Sequence, residues 1–122
     1  MDENPIVRMF TWWNAAYRSK DGFSPAAFAD FYTPGGQLVV NGMLRATGPD
    51  ELARHYSAIQ DAIENVEMVL PLAEGFHCGN RAFAHVYERV TEAGAKVDRE
   101  AMCYAVLEGE KIALLRVVAN RG

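Results

Sequence analysis

Residues 82–107, AFAHVYERVTEAGAKVDREAMCYAVL, decide the fold that this chain is expected to adopt. Two alternating runs flank a turn at Gly94, which is the pattern of two antiparallel strands in a hairpin. With comparable runs on either side, the predicted strands extend from about Glu67 to Phe76, Ala82 to Thr91, Lys96 to Leu107 and Lys111 to Ala119. The turns between them are predicted at Gly79-Asn80, Gly94 and Glu108-Gly109-Glu110. Successive strands joined by short turns form an antiparallel meander.

Helical signals occupy the residues before this meander. Asn4-Pro5 is a helix start, and apolar side chains recur at helical spacing until Lys20-Asp21-Gly22. Ser24-Pro25 starts a second, short helix that Pro34-Gly35-Gly36 is predicted to break. Its predicted buried side consists of Phe28, Phe31 and Tyr32.

A short strand and a third helix complete the predicted order. The strand is expected at Gln37 to Asn41, before a turn at Gly42. The third helix is expected to begin at Thr47-Gly48-Pro49 and to end near Asn65. We therefore predict one α+β domain over residues 1–122, with three N-terminal helices enclosing a pocket on the concave face of a curved, mainly antiparallel sheet.

Composition excludes several classes of protein. The chain has 122 residues, half of them hydrophobic, and a net charge of −4, which is ordinary for a globular domain and argues against a nucleic-acid partner. No apolar run is long enough to cross a membrane, and the start, Met1 to Asn4, does not resemble a secretory signal. Cys78 and Cys103 are expected to be free thiols of a cytoplasmic protein.

Four short segments carry a family resemblance. They are Trp13-Asn14-Ala15-Ala16-Tyr17, Phe28-Ala29-Asp30-Phe31-Tyr32-Thr33-Pro34, Gly48-Pro49-Asp50-Glu51-Leu52 and Glu110-Lys111-Ile112-Ala113. Their order and spacing resemble the SnoaL-like, nuclear transport factor 2-like superfamily, also called the ketosteroid isomerase-like cone fold. The resemblance implies a pocket between the helices and the concave sheet face. It does not imply one reaction, since the superfamily includes isomerases, cyclases, dehydratases, hydrolases and non-catalytic domains.

The catalytic groups of two known members are incomplete here. Where ketosteroid isomerases place a carboxylate base, a tyrosine and a protonated aspartate, this chain aligns Asn41, Trp13 and Met102. Asn41 matches an asparagine of limonene epoxide hydrolases, but Val117 stands at the position of one of their acids. The chain is therefore not expected to be a typical member of either enzyme class.

Strand alternation, anchored on Met102, places a polar group of side chains on the concave face. The group comprises His85, Tyr87, Arg89, Asp98 and Glu100. His85 and Glu100 are predicted cross-strand neighbours, and either is a candidate acid/base; Asn41 is a candidate oxyanion donor. The expected ligand-binding side chains are Trp13, Tyr17, Tyr32, Tyr56, Phe83, Tyr87, Asp98, Met102, Tyr104, Leu115 and Val117. A one-residue register slip across the hairpin would reverse the faces of the strand before Gly94.

Three functional hypotheses follow. The first is acid/base chemistry without a cofactor on a small apolar molecule, of isomerase, cyclase, dehydratase or hydrolase type. The second is a small-molecule-binding or assembly domain without chemistry, with His85 and Glu100 as solvated charges and Asn41-Gly42 as a turn. A pocket filled by the protein's own aromatic side chains is a third alternative.

The opposite, convex face is predicted to be apolar and to form a homodimer. Its predicted members are Ala84, Val86, Val90, Val97, Ala101, Cys103, Ala105, Leu107, Ile112, Leu114 and Val118. No metal site is expected, because His77-Cys78 and the other candidate ligands lack the necessary spacing. No phosphate-binding loop or dinucleotide fingerprint is present in the sequence.

Overall fold

A computed structural model describes residues 4–119, which form three helices and six strands. The helices are α1 (Pro5–Tyr17), α2 (Pro25–Phe28) and α3 (Gly48–Ala62). The strands are β1 (Tyr32–Val40), β2 (Met43–Thr47), β3 (Asn65–Cys78), β4 (Arg81–Glu92), β5 (Ala95–Glu108) and β6 (Lys111–Ala119). They make one curved sheet in the order β2-β1-β6-β5-β4-β3 that does not close into a barrel. The predicted α+β class and the four-strand meander are confirmed.

The side chains of two asparagines, Asn4 and Asn14, fix the position of α1. The Asn4 side-chain oxygen accepts a hydrogen bond from the Ile6 amide at 2.9 Å, and Pro5 occupies the first turn, where its missing N–H costs nothing. Asn14 pairs with the backbone of Met68 in both directions, at 2.9 and 2.8 Å. These bonds hold α1 against β3, with its apolar side turned into the core.

The segment Pro34-Gly35-Gly36 does not end the second helix as predicted, because α2 already ends at Phe28. It lies inside β1, which begins at Tyr32, and the pairing of β1 with β6 shifts between Tyr32 and Gln37. This irregularity accommodates the proline within the sheet. A Cβ atom at Gly36 would lie 2.8 Å from the Ile112 carbonyl oxygen, so the close approach of the two strands requires glycine.

The two faces of β4 and β5 are the reverse of the prediction. We call the side of the sheet that packs against α1 and α3 the inner face, and the opposite side the outer face. On β4 and β5 the inner face carries the buried side chains Ala82, Ala84, Val86, Val90, Ala101, Cys103, Ala105 and Leu107. On these two strands the outer face carries Phe83, His85, Tyr87, Arg89, Asp98, Glu100, Met102 and Tyr104.

The physical reason for the reversal is burial. The parity assumed across the Gly94 hairpin is right, since Tyr87 pairs with Glu100 and Arg89 with Asp98, so that these side chains share one face. The assignment of faces is wrong because it used Met102 as its anchor. Helices cover the face whose small apolar side chains allow close packing, and here that is the face of Cys103. On β6, Leu115 and Val117 do face the helices, as predicted.

Candidate functional site

A cavity of about 350 Å³ lies between α1, α3 and the inner face of the sheet. Its volume is in the range of small-molecule sites, which is roughly 300–1,000 Å³. Most of its wall is apolar: Phe10, Trp13, Val40, Ile59, Ile63, Val66, Met68, Val86, Val90, Ala101, Leu115, Val117 and Ala119. Such a wall favours an apolar ligand and strengthens any electrostatic contact made inside it.

Four polar side chains line this cavity in two pairs. Arg45 of β2 and His55 of α3 interact on one side. Glu88 of β4 and Arg99 of β5 are cross-strand partners on the other. Arg99 also contacts Glu92, at 3.7 Å between Nη2 and Oε1. The cavity therefore presents a carboxylate and a guanidinium on the side of β4 and β5, and a second guanidinium with an imidazole on the side of β2 and α3.

The pKa values in the cavity show how these groups influence their neighbours. Burial, and then the charge of Arg45, lower the pKa of His55 below its usual value, which favours a neutral imidazole. Burial and the nearby charge of Glu88 raise the pKa of Cys103 to about 12, and they also raise that of Tyr56. The thiol and the phenol are thus protonated near neutral pH, and Cys103 is not an activated nucleophile.

The predicted aromatic residues of the helical side fall into two groups. Trp13 and Tyr56 line the cavity, their rings 5.6 Å apart and close to perpendicular. Tyr17 does not line it, because its hydroxyl donates to the Ile63 carbonyl at 2.6 Å and secures the end of α3. Tyr32 is fully buried beside Phe28, and its hydroxyl has no hydrogen-bond partner within residues 4–119.

The predicted catalytic pair forms, but outside the cavity. Nε2 of His85 donates to Oε2 of Glu100 at 2.7 Å on the outer face, where Glu100 is exposed. On the same face Arg89 donates two hydrogen bonds to Asp98, at 3.0 and 3.2 Å. Chemistry by His85 and Glu100 inside the cavity has no support in this geometry, because their strands turn these side chains away from it.

The predicted apolar binding residues of β4 and β5 also lie on the outer face. Phe83 stacks on Phe76 with ring centroids 5.0 Å apart. Tyr87, Met102 and Tyr104 are about two-fifths exposed. These residues were expected in the pocket wall, but the same reversal of faces places them outside the cavity.

Asn41 occupies a hairpin turn and makes structural hydrogen bonds. Asn41 and Gly42 both have positive φ, 50° and 82°, as a tight two-residue turn between strands requires. The Asn41 side-chain oxygen accepts from the Ala119 amide at 2.9 Å, and this bond ties the β1–β2 hairpin to the end of β6. Asn41 is therefore better described as a turn residue than as an oxyanion donor.

Sequence reasoning missed Arg45, His55, Glu88 and Arg99. One signal for Glu88 was present, since it is the single charge in the alternating series Ala82, Ala84, Val86, Glu88 and Val90. A charge within a buried apolar series is a candidate functional group. Arg45 and His55 gave no signal, because their place in the wall depends on how α3 packs across β1 and β2.

Two further properties concern the described residues as a whole. Between residues 4 and 119, no three His, Cys, Asp or Glu side chains are grouped so that they could hold a metal ion. In the same part of the chain, no helix has the length and apolar character needed to span a membrane.

Solved structures with this architecture are similar over most of the chain. A nuclear transport factor 2-like protein of unknown function from an Exiguobacterium species matches with a TM-score of 0.77 and 16% identity, covering 97% of this chain and 99% of that one. A proposed SnoaL-like polyketide cyclase from a Jannaschia species matches at 0.73 and 13%, covering 95% and 83%. A hypothetical protein with a ketosteroid isomerase-like fold from Catenulispora acidiphila, in complex with trimethylamine, matches at 0.71 and 17%, covering 88% and 81%.

These similarities define the fold of the chain. It is an α+β protein with a curved sheet and an internal cavity. Its fold is that of the nuclear transport factor 2-like superfamily, which is also described as ketosteroid isomerase-like or SnoaL-like. No protein-family profile and no curated protein matches its sequence.

Proposed function

We propose that this protein binds a small, largely apolar molecule in the inner-face cavity and catalyses proton transfer on it without a cofactor. Glu88 is the general acid/base of this proposal. The observation that carries it is the carboxylate of Glu88 in the wall of a mainly apolar cavity of about 350 Å³. A carboxylate acts as a general base when it is held within reach of the proton that it removes.

A second polar side chain, beside Glu88, suits the product of such a transfer. When Glu88 accepts a proton from a carbon next to a carbonyl group, the electron pair moves to the carbonyl oxygen. Arg99, which faces Glu88 across the strands, then lowers the energy of the resulting enolate through charge. Where the ligand also carries a carbon–carbon double bond next to that carbon, the enolate is a dienolate, and return of the proton from Glu88 to its far carbon shifts the double bond and completes an isomerisation.

Similar structures support the small-molecule part of the proposal. The Catenulispora protein holds trimethylamine, and the Jannaschia protein is a proposed polyketide cyclase. Both descriptions concern small organic molecules, which favours a molecule of that size as the ligand of this chain.

Ring opening of nitrobenzisoxazole tests the proposed base without a known substrate. In this reaction a base removes the ring C–H proton, a carbon–nitrogen triple bond forms, the N–O bond breaks and a coloured phenolate is released. We expect the protein to accelerate the opening beyond free carboxylate at the same pH. Glu88→Gln should reduce that acceleration by about 100-fold, a typical contribution of a positioned general base.

Glu100→Gln is the matched control, since it removes the carboxylate that pairs with His85 on the outer face. Its rate should equal that of the wild type. Loss of rate in Glu100→Gln with none in Glu88→Gln would instead place the chemistry at the His85–Glu100 pair. If Glu88→Gln and Glu100→Gln both react at the wild-type rate, binding without chemistry describes the protein better.

We also propose that the protein is a cytoplasmic homodimer formed through the outer face. Five large apolar side chains of that face are exposed: Phe76, Tyr87, Met102, Tyr104 and Val118. An apolar patch of this kind favours association. The dimer residues predicted from the sequence, such as Ala84, Val86, Ala101 and Cys103, belong to the core instead. The free thiols of Cys78 and Cys103 fit a reducing compartment.

A further inference from the structure

We infer that the ligand of the cavity is an anion, an apolar molecule carrying a carboxylate that Arg45 binds. This inference rests on the proposed small-molecule site and adds the chemical class of its ligand. It is carried by the position of Arg45 in the cavity wall and by the partners of its guanidinium group.

Arg45 lines the cavity without an ion-pair partner among residues 4–119. Its described side-chain hydrogen bond goes to the Met43 sulfur at 3.8 Å, and a thioether is a weak acceptor. The planar guanidinium group presents paired N–H donors whose geometry matches a carboxylate. Its donors are therefore available to an anionic ligand.

His55 adds a hydrogen-bonding group to this side of the cavity. Its ring contacts that of Tyr56, with centroids 4.9 Å apart, and the charge of Arg45 is close enough to lower its pKa. A carboxylate between Arg45 and His55 would receive a charge-assisted hydrogen bond from the arginine and a second bond from the imidazole.

Glu88 fixes the orientation of such a ligand. Like charges repel more strongly in an apolar cavity than in water, so the ligand carboxylate belongs on the Arg45 side rather than beside Glu88. Arg99 is a weaker candidate for the anion site, because it faces Glu88 across the strands and contacts Glu92 at 3.7 Å. The ligand thus spans the cavity, its carboxylate at Arg45 and its reacting carbon toward Glu88.

Naphthoate and naphthamide are suitable probes, because they have almost the same shape and differ in charge. Binding is followed by NMR titration through the indole signal of Trp13 and the amide signal of Ala101, both in the cavity wall. We expect naphthoate to bind about 10-fold more tightly than naphthamide, the increment of one charge-assisted hydrogen bond partly exposed to water. Arg45→Gln should remove this preference and leave naphthamide binding unchanged, and Arg45→Lys should retain part of it.

Arg54→Gln is the control, since Arg54 is an exposed arginine of α3 that does not line the cavity. It should keep the full preference for naphthoate. Equal binding of both probes at the cavity signals, unaffected by Arg45→Gln, would overturn the anion inference and leave the small-molecule site standing. If neither probe moves those signals, the proposed function itself is contradicted, and the inference fails with it.

Discussion

Glu88 shows how the environment of a single side chain determines its possible role. It is in the wall of a mainly apolar cavity, and its charge helps to raise the pKa values of Tyr56 and Cys103. Glu100 is a residue of the same type on the neighbouring strand, but it is exposed and paired with His85. Its position in the cavity wall makes the first carboxylate the candidate for acid/base chemistry on a bound ligand.

His55 provides a prediction at the residue scale. Its pKa is lower in the folded protein than in the unfolded chain, chiefly through burial. The unfolded chain therefore binds a proton that the folded protein resists, and stability falls as the pH drops from above the unfolded value of about 6.5 toward the folded one. In urea unfolding, the free energy of unfolding should fall more for the wild type than for His55→Gln between about pH 7.5 and pH 5.5.

His77→Gln is the control for that experiment, because it removes an exposed imidazole from the same chain. Its unfolding free energy should follow the wild-type pH dependence. If the curves of the wild type and His55→Gln remain parallel over this range, His55 does not lie in the environment described here.

At the scale of single residues, the sequence indicated which side chains of β4 and β5 are neighbours, but it assigned them to the wrong face of the sheet. His85 and Glu100 are neighbours as expected, and Trp13, Tyr56, Leu115 and Val117 lie in the cavity wall, while their ligand-binding roles stay predictions. Which face of a strand meets the helices is a tertiary property. Since adjacent residues point to opposite faces, an error of one position in the anchor moved every side chain of β4 and β5 to the wrong side.

At the scale of elements, the β1–β2 hairpin supports one end of the sheet. Asn41 and Gly42 form the turn with positive φ angles, and the Asn41 side chain reaches the backbone of β6. Sequence signals located this turn correctly, because Asn-Gly has a specific backbone preference. They did not predict that β1 continues through Pro34-Gly35-Gly36, since strand pairing with β6 overrides the local tendency of these residues to form a turn.

Substitution of Gly42 tests the description of this hairpin. Gly42 has φ +82°, a conformation that costs an L-residue roughly 1–2 kcal/mol, so Gly42→Ala should lower the unfolding free energy by about 1 kcal/mol. Gly35→Ala is the control: a Cβ there meets no atom within 4 Å, and its φ lies outside the left-handed region. Chemical denaturation should show a clear loss for Gly42→Ala alone. Equal losses in the two variants would contradict the turn geometry.

At the scale of the whole molecule, the curved sheet separates two surfaces with different properties. The inner face is covered by α1 and α3 and encloses the cavity, while the outer face exposes aromatic and aliphatic side chains. The order of helices and strands was predictable because it depends on local periodicity and turn residues. The composition of the cavity wall was not predictable in this way, because the wall combines side chains from two helices and six strands.

Light scattering tests the proposed outer-face dimer. The wild type should have the mass of two chains at micromolar concentration. Tyr104→Lys places a charge in the centre of the exposed apolar row and should yield monomers. Met43→Lys, on the exposed strand β2 away from that row, is the control and should remain dimeric. A monomeric wild type would contradict the dimer without affecting the cavity.

The most direct test of the account compares Ala101→Phe with Met102→Phe in naphthoate titration. Ala101 lines the cavity, whereas its neighbour Met102 points to the outer face. A phenylalanine at position 101 should fill the cavity and abolish binding, and one at 102 should leave it unchanged. Val117→Phe, which enters the same cavity from β6, should repeat the loss if Ala101→Phe does not fold. Loss of binding in Met102→Phe alone would show that the ligand site is on the outer face, contrary to this account.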